Sequence, residues 1–261
     1  MGTITKALNL LTYFSESAPE ISLMDFKALT GTDKATIHRH LTELLANGYL
    51  EQNKSTRKYR LGASILRLAS IREKTFPARR IVSQWVRKLS EETGELVHAS
   101  VIQQMNMSPL CFHDAGIGGT RVYYNEADIL PLHATASGLA AIAFGPSDLL
   151  QTISRSGLQK FTDFTITDFE QLQLAVERTR QNGFAYIDQA YEQEVCSLAV
   201  PFFENDRFAY GSIAIAMPAS RMKDADKAQY VRALWNAAEN ISRDLGGTIP
   251  QNLKNLWLIA A

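Results

Sequence analysis

The chain has 261 residues, of which 46% are hydrophobic and 21% charged, so it suits one large folded domain or two smaller ones and disorder is excluded. Its 27 basic and 27 acidic side chains cancel, and its two cysteines are too few for a disulfide framework or a cysteine-built zinc site. We therefore expect no metal and no cofactor. The lack of a leader pattern and of any apolar run of about 18–20 residues predicts a cytoplasmic protein with no membrane contact.

The charges are unevenly distributed along the chain. Residues 1–75 hold 11 Lys and Arg against 7 Asp and Glu, which leaves the remainder acidic. Residues 53–60 carry four cations and no anion. Such a cluster attracts phosphates through counterion release, although short basic runs are also common in solvated loops.

Two short helices are predicted at the start of the chain. Apolar residues recur at helical spacing in the first and predict a buried face: Ile4, Ala7, Leu8, Leu11 and Phe14. A capping box from Ser22 to Asp25 begins the second helix, and Gly31 ends it in a left-handed conformation.

A third helix begins at Thr32 and ends at Asn47-Gly48. Its inward residues are Ile37, Leu41, Leu44 and Leu45. Its outward residues are Lys34, Ala35, Thr36, His38, Arg39 and Thr42, compact or polar side chains that suit a DNA major groove. Residues 49–52 and 57–61 form a hairpin with a basic tip. The pattern over residues 1–61 is that of a winged helix-turn-helix.

This pattern predicts two sets of DNA contacts. The candidates for bases or phosphates in the major groove are Lys34, Thr36, His38 and Arg39. The candidates for the DNA backbone or the minor groove are Lys54, Arg57, Lys58 and Arg60. A sensor that does not bind DNA is disfavoured mainly by these cations.

Residues 62–76 predict a linker helix with a narrow apolar stripe, which Pro77 interrupts, and residues 78–93 predict another helix. Residues 77–250 mix strands and helices without a βαβ repeat, which indicates an α+β fold with an antiparallel sheet flanked by helices. The predicted strands are 96–103, 109–114, 119–124, 184–189, 195–204 and 208–217, with a turn at Asn205-Asp206. The predicted helices are 135–144, 147–155, 168–182 and 224–245, the third opened by a capping box from Thr167 to Glu170. The apolar tail, residues 251–261, either seals the last helix or makes a subunit contact.

Four segments resemble IclR-family bacterial transcription regulators. They are ITKALNLLTYF (4–14), TGTDKATIHRHLTELLANGYLEQNKSTRKYRLG (30–62), LPLHATASGLAAIAF (130–144) and NGFAYIDQAYEQEVCSLAVPFFENDRFAYGSIAIAMPASRM (182–222). Their order matches that of the family. The resemblance implies a DNA-binding domain, a linker helix and a GAF-like domain that binds a small molecule. It also implies a dimer or a dimer of dimers on double-stranded operator DNA, with repressors commoner than activators.

The same resemblance implies an effector pocket for a small organic acid. The corresponding residues are His133, Ala136, Ser137, Ile187, Asp188, Val195, Ser197, Ala214 and Ala216. Three of these positions are more apolar than is usual in the family, so we expect an aromatic or branched acid rather than a two-carbon one. Glu194 stands where the family usually has glycine.

The main rival hypothesis is an enzyme or sensor that uses cysteine and histidine in the C-terminal domain. It would pair Cys111 or Cys196 with His98, His113 or His133. The sequence shows no such pairing, and free cysteines are commonly part of a core. The histidines also lack the spacing of a metal site.

Overall fold

The computed structural model describes residues 2–116, 119–126, 128–204 and 208–259. They divide into two compact units, one ending at Pro77 and the other beginning at Ala78. The predicted turn at Asn205-Asp206 lies outside the described residues. Within them, no helix is long and apolar enough to cross a membrane.

The described residues of the N-terminal unit form four α-helices, one 3-10 turn and one hairpin. Its elements are α1 (Thr3–Asn9), a 3-10 turn (Leu10–Tyr13), α2 (Leu23–Thr30), α3 (Lys34–Ala46), β1 (Leu50–Gln52), β2 (Tyr59–Leu61) and α4 (Ala63–Thr75). The predicted winged helix-turn-helix is confirmed. Its core residues are Leu10, Ile21, Phe26, Ile37, Leu41, Leu44, Leu50 and Tyr59.

Local capping signals set the ends of α2. The Ser22 hydroxyl accepts from the Asp25 amide, and the Asp25 carboxylate accepts from the Ser22 amide, both at 3.1 Å. Gly31 ends the helix with φ +64°, a left-handed conformation that costs glycine little. The predicted capping box and helix stop are therefore confirmed.

The predicted buried face of the first helix is wrong at the start of the segment. Ile4 is 76% exposed and Leu8 50% exposed, whereas Leu11 and Phe14 pack, half-buried, against the core that contains Leu10 of the 3-10 turn. The α-helix ends at Asn9, and the change to 3-10 geometry shifts the side-chain register, so one helical stripe does not run from Ile4 to Phe14. Linker helix α4 buries none of its residues.

The C-terminal unit is built around an antiparallel sheet, which has six strands among the described residues. The strands are β3 (Leu96–Gln103), β4 (Asn106–Asp114), β5 (Leu130–Pro131), β6 (Ala185–Asp188), β7 (Val195–Phe202) and β8 (Gly211–Pro218), in the order β5-β4-β3-β8-β7-β6. The helices are α5 (Ala78–Thr93), α6 (Ala136–Phe144), α7 (Leu149–Ser156), α8 (Phe169–Asn182), α9 (Asp224–Asp244) and α10 (Gln251–Ile259), with a 3-10 turn at Ala219–Arg221. The predicted α+β class is confirmed.

The two faces of the sheet bury different clusters. One face packs against α5, α9 and α10, and alternate residues of the strands, such as Cys196, Leu198 and Met217, point to it. The opposite face packs against α6 and α8 and includes Ala199 and Ala214. This alternation decides which strand residues are able to reach a cavity on the α6 side.

Two predicted features of this unit need correction. Residues 119–124 form no regular strand, and the sheet edge is the short β5 instead. Helix α8 is capped by Asp168, whose carboxylate accepts from the Gln171 amide at 3.0 Å, and not by a box from Thr167 to Glu170. The apolar tail contains helix α10.

The tail helix α10 covers part of the core. Trp257 is 6% exposed, and its ring stacks on that of Trp235 with centroids 5.7 Å apart. Its Nε1 donates to the Gly183 carbonyl at 3.0 Å. A side chain at Gly183 would meet this indole at 2.8 Å, so the close approach requires glycine there. Of the two expectations for the tail, the structure agrees with packing against the last long helix.

Candidate functional site

Helix α3 presents the predicted DNA-contacting residues on its outer side. Its N-cap Asp33 accepts from the Thr36 amide at 2.9 Å, which fixes the start of the helix. Burial of Ile37 and Leu41 then sets its rotation. As a result Lys34, His38 and Arg39 are exposed, and Thr36 is half-buried.

The wing hairpin pairs β1 with β2 and carries the basic cluster on its turn. The Asn53 carboxamide oxygen accepts from the Ser55 and Thr56 amides at 3.0 and 3.3 Å, which closes the turn. Lys54, Arg57 and Lys58 are exposed there. Arg60 is also exposed, but it donates to the Glu51 carboxylate at 2.9 Å, so this predicted DNA contact is engaged within the hairpin.

Sequence reasoning missed the burial of His40 on α3. Its side chain is 4% exposed, and its Nε2 has no hydrogen-bond partner in the described structure. His40 lies three residues after the buried Ile37 and four before the buried Leu44, so helical spacing alone predicts that it faces inward.

A cavity of about 400 Å³ lies in the C-terminal unit, next to the α6 face of the sheet. Five of the nine residues predicted to bind an effector line it: Ser137, Ile187, Val195, Ser197 and Ala216. The other lining residues that carry polar or aromatic groups are His98, Tyr123, Tyr124, Asn125, Asp128, Thr135, Phe161, Tyr191 and Glu192.

Four predicted residues do not line the cavity, each for a local reason. Asp188 is exposed, because strand alternation turns it away from its neighbour Ile187. Ala136 and Ala214 are fully buried where α6 packs on the sheet. His133 is 6% exposed, and its Nε2 donates to the Gln159 carbonyl at 2.9 Å, so it holds a loop beside the cavity.

The deep part of the cavity contains buried polar groups without partners. Ser137 is 1% exposed and its hydroxyl makes no hydrogen bond in the described structure. His98 is 6% exposed, and its Nδ1 is likewise unpartnered. Burial lowers the pKa of His98 to about 4, so its imidazole is neutral near pH 7. The ring stacks on Tyr124 with centroids 4.6 Å apart.

Ser137 also lies at the N-terminus of α6, where backbone amides are available. The Thr135 side chain caps the helix by accepting from the Gly138 amide at 3.0 Å. The amides at the first two helical positions have no acceptor within a helix, and the helix dipole makes this end electropositive. An anionic group is therefore favoured beside Ser137.

The outer part of the cavity is aromatic and acidic. Phe161 and Tyr191 meet edge to face with centroids 5.1 Å apart. Thr162 holds the loop that carries Phe161 by donating to the Gln189 carbonyl at 2.6 Å. Asp128 and Glu192 line the same cavity, and burial, with a smaller contribution from these two charges, raises the pKa of Tyr191.

The lining residues outside the predicted set come mainly from β3 and from loops, where no periodic signal marks a cavity wall. The sequence marks His98 only as a candidate partner for cysteine chemistry. Both cysteines are buried, and burial raises the pKa of the Cys196 thiol to about 11. A protonated thiol is a poor nucleophile. Among the described residues no group of three or more His, Cys, Asp or Glu side chains could hold a metal ion.

Comparisons with known proteins agree with this architecture. The family model for the IclR helix-turn-helix domain matches residues 3–54, and that for the bacterial transcriptional regulator IclR C-terminal domain matches residues 74–243. The HTH-type transcriptional regulator XynR of Escherichia coli is 29% identical over 248 residues, which cover 94% of this chain and 97% of XynR. The transcriptional repressor IclR of E. coli is 26% identical, over 94% of this chain and 90% of that protein.

Solved structures show the same fold. A crystal structure assigned as an IclR transcriptional regulator from Silicibacter has a TM-score of 0.89 at 37% identity, with 96% of this chain and 99% of that chain covered. An IclR homologue from Microbacterium hydrocarbonoxydans, complexed with 4-hydroxybenzoate, has a TM-score of 0.76 at 20% identity, with 94% and 99% covered. The matching relatives are regulators rather than enzymes. The chain belongs to the IclR family of DNA-binding transcriptional regulators.

Proposed function

We propose that this protein is a repressor that binds operator DNA through its N-terminal unit and a small aromatic or branched organic acid in its C-terminal cavity. The single observation that carries the ligand half is the cavity itself, which combines apolar walls with Ser137 Oγ and His98 Nδ1, two buried atoms that have no hydrogen-bond partner among the described residues. Two relatives support the proposal: one is named a repressor, and one was crystallised with an aromatic acid.

The ligand acts by binding two states of the protein unequally. A small molecule shifts an equilibrium only by its differential affinity for the two states, so the effector must favour either the DNA-bound or the DNA-free arrangement. For a repressor that an acid relieves, operator affinity falls as the acid saturates the cavity. Fluorescence anisotropy on the DNA upstream of the protein's own gene, with and without each acid, measures this change.

The DNA half of the proposal assigns base or phosphate contacts to Lys34, Thr36, His38 and Arg39, and backbone or minor-groove contacts to Lys54, Arg57, Lys58 and Arg60. The variant R39A/K58A should lose operator binding, whereas Arg178→Ala, which removes an exposed cation of α8 in the other unit, should not. Anisotropy at two salt concentrations separates the roles, because loss of one phosphate contact lowers the salt slope by about one. Unchanged binding by R39A/K58A would contradict this assignment.

The effector half is tested by thermal shift against aliphatic, branched and aromatic carboxylates. Stabilisation by aromatic or branched acids, lost in Ser137→Ala, is the expected result. If only two-carbon acids such as glyoxylate stabilise the protein, the assignment of an apolar acid is wrong.

We also propose a dimer or a dimer of dimers, in which two copies of α3 read half-sites separated by one or more turns of DNA, about 34 Å per turn. The exposed apolar side chains of α1 and α4, such as Ile4 and Leu66, support a contact between copies. Light scattering on the purified protein, with and without operator DNA, measures the oligomer. A monomer on a single half-site would refute this part.

A further inference from the structure

We propose that the effector is a monocarboxylate that carries a hydrogen-bond donor, such as an ammonium group, at the end opposite its carboxylate. This inference rests on the proposed acid binding and specifies its chemistry. It is drawn from the uneven distribution of polar groups along the cavity, which separates neutral donors in the deep part from acidic side chains at the rim.

The deep end suits the carboxylate. The Ser137 hydroxyl and the neutral His98 ring are able to donate hydrogen bonds. Both residues are at least nine-tenths buried, and among the described residues neither Ser137 Oγ nor His98 Nδ1 has a partner. A buried polar group without a hydrogen-bond partner destabilises a protein by roughly 1–3 kcal/mol. A ligand that accepts hydrogen bonds from both groups removes this penalty and binds more tightly for that reason. No acidic side chain of the cavity lining is buried there, since Asp128 and Glu192 are both exposed.

The part of the cavity between these two ends suits an apolar body. Ile187, Val195 and the ring of Tyr124 line the cavity. Aromatic rings favour stacked or edge contacts with another ring, and branched aliphatic side chains fill space without polar partners. A two-carbon acid would leave these walls without contact and would not span the cavity.

The rim suits a donor and disfavours a second carboxylate. Glu192 lines the cavity and forms no ion pair within the described residues. Within the described part of the chain, the Asp128 carboxylate accepts a long hydrogen bond, 3.4 Å, from the Asn125 side chain, which leaves acceptor capacity on that carboxylate. Two carboxylates with unused acceptor capacity attract a cationic group of the ligand at the rim and repel an anionic group at the same place.

Three benzoates of similar size test the inference by calorimetry on the full chain. They differ only at the position opposite the carboxylate: 4-(aminomethyl)benzoate, 4-ethylbenzoate and 4-(carboxymethyl)benzoate. We expect the first to bind at least tenfold more tightly than the second, a difference of about 1.4 kcal/mol, and the third to bind most weakly. Glu192→Gln should reduce the preference for the amine, whereas Glu194→Gln, an exposed neighbour outside the cavity lining, should leave it unchanged.

The outcomes separate the inference from the proposed function. If the acids bind but 4-ethylbenzoate equals the amine or the diacid binds best, the donor assignment is overturned while acid binding stands. If Glu192→Gln weakens all three acids equally, Glu192 acts on the cavity as a whole and the inference is also overturned. If none of the three binds, the proposed binding of aromatic acids fails together with it. Ser137→Ala should weaken all three alike, because each presents the same carboxylate.

Discussion

Acidification should destabilise the C-terminal unit because His98 is buried in its neutral form. In the unfolded chain this imidazole takes up a proton below its ordinary pKa of 6.5, whereas burial keeps the folded ring neutral down to about pH 4. The unfolded state therefore binds more protons across that window, and the free energy of unfolding falls as the pH falls through it. Above pH 6.5 the ring is neutral in both states, so the contribution of His98 to the free energy of unfolding no longer changes with pH.

The size of this effect follows from the two pKa values. At ~1.4 kcal/mol for each pH unit between them, the full window from 6.5 to about 4 corresponds to roughly 3.5 kcal/mol. Loss of that much is a large fraction of the ~5–15 kcal/mol that stabilises a typical protein. An acid bound beside His98 would favour the imidazolium, so a saturating effector should shrink the loss.

Urea unfolding followed by tryptophan fluorescence reports the stability of the C-terminal unit, because Trp85, Trp235 and Trp257 all lie there. We compare wild type with His98→Gln between pH 7 and pH 4.5. The variant should lose less free energy of unfolding on acidification, since it lacks the titrating ring. Val97→Ala, on the same strand but on its other face, should lower stability equally at every pH. Parallel curves for wild type and His98→Gln would refute the reasoning.

Three further perturbations test separate features. Trp257→Ala should cost about 3–5 kcal/mol in urea unfolding, because it removes the stack on Trp235 and opens a core site; a loss below about 1 kcal/mol would mean that α10 is peripheral. Glu194 has φ +61°, a left-handed conformation that costs a residue other than glycine about 1–2 kcal/mol. Glycine at this position removes the strain but loses more backbone entropy on folding, so the free energy of unfolding should rise by roughly 0.5 kcal/mol. Alanine keeps the strain and should leave the free energy of unfolding unchanged. Glu51→Ala should free Arg60 for phosphate and steepen the salt dependence of operator binding by about one unit; an unchanged slope would show that Arg60 does not reach DNA.

The elements that the sequence predicted well depend on local interactions. The capping box of α2 needs only Ser22 and Asp25 three residues apart, and the left-handed stop needs only Gly31. The error at α8 was also local: Thr167 and Asp168 are both good N-caps, and the structure uses the second.

The features that the sequence could not predict depend on distant parts of the chain. Apolar spacing marked Ile4 and Leu8 but could not show that the unit leaves them exposed. The cavity was located through motif positions on β6 to β8 and α6, yet His98 comes from β3, and its place opposite Ala214 follows from a register that only the assembled sheet defines. Glu192 lies in a loop after β6, where no periodicity indicates direction.

The alternation along β7 and β8 has a consequence for how such a regulator could diverge in evolution. Ser197 and Ala216 line the cavity, while their chain neighbours Cys196 and Met217 belong to the core on the other side of the sheet. Duplicated copies of the gene could therefore accumulate changes at alternate codons that alter which molecule is sensed and leave the codons that maintain folding untouched. Selection for a new inducer and selection against misfolding would then act on separate sets of positions within the same two strands.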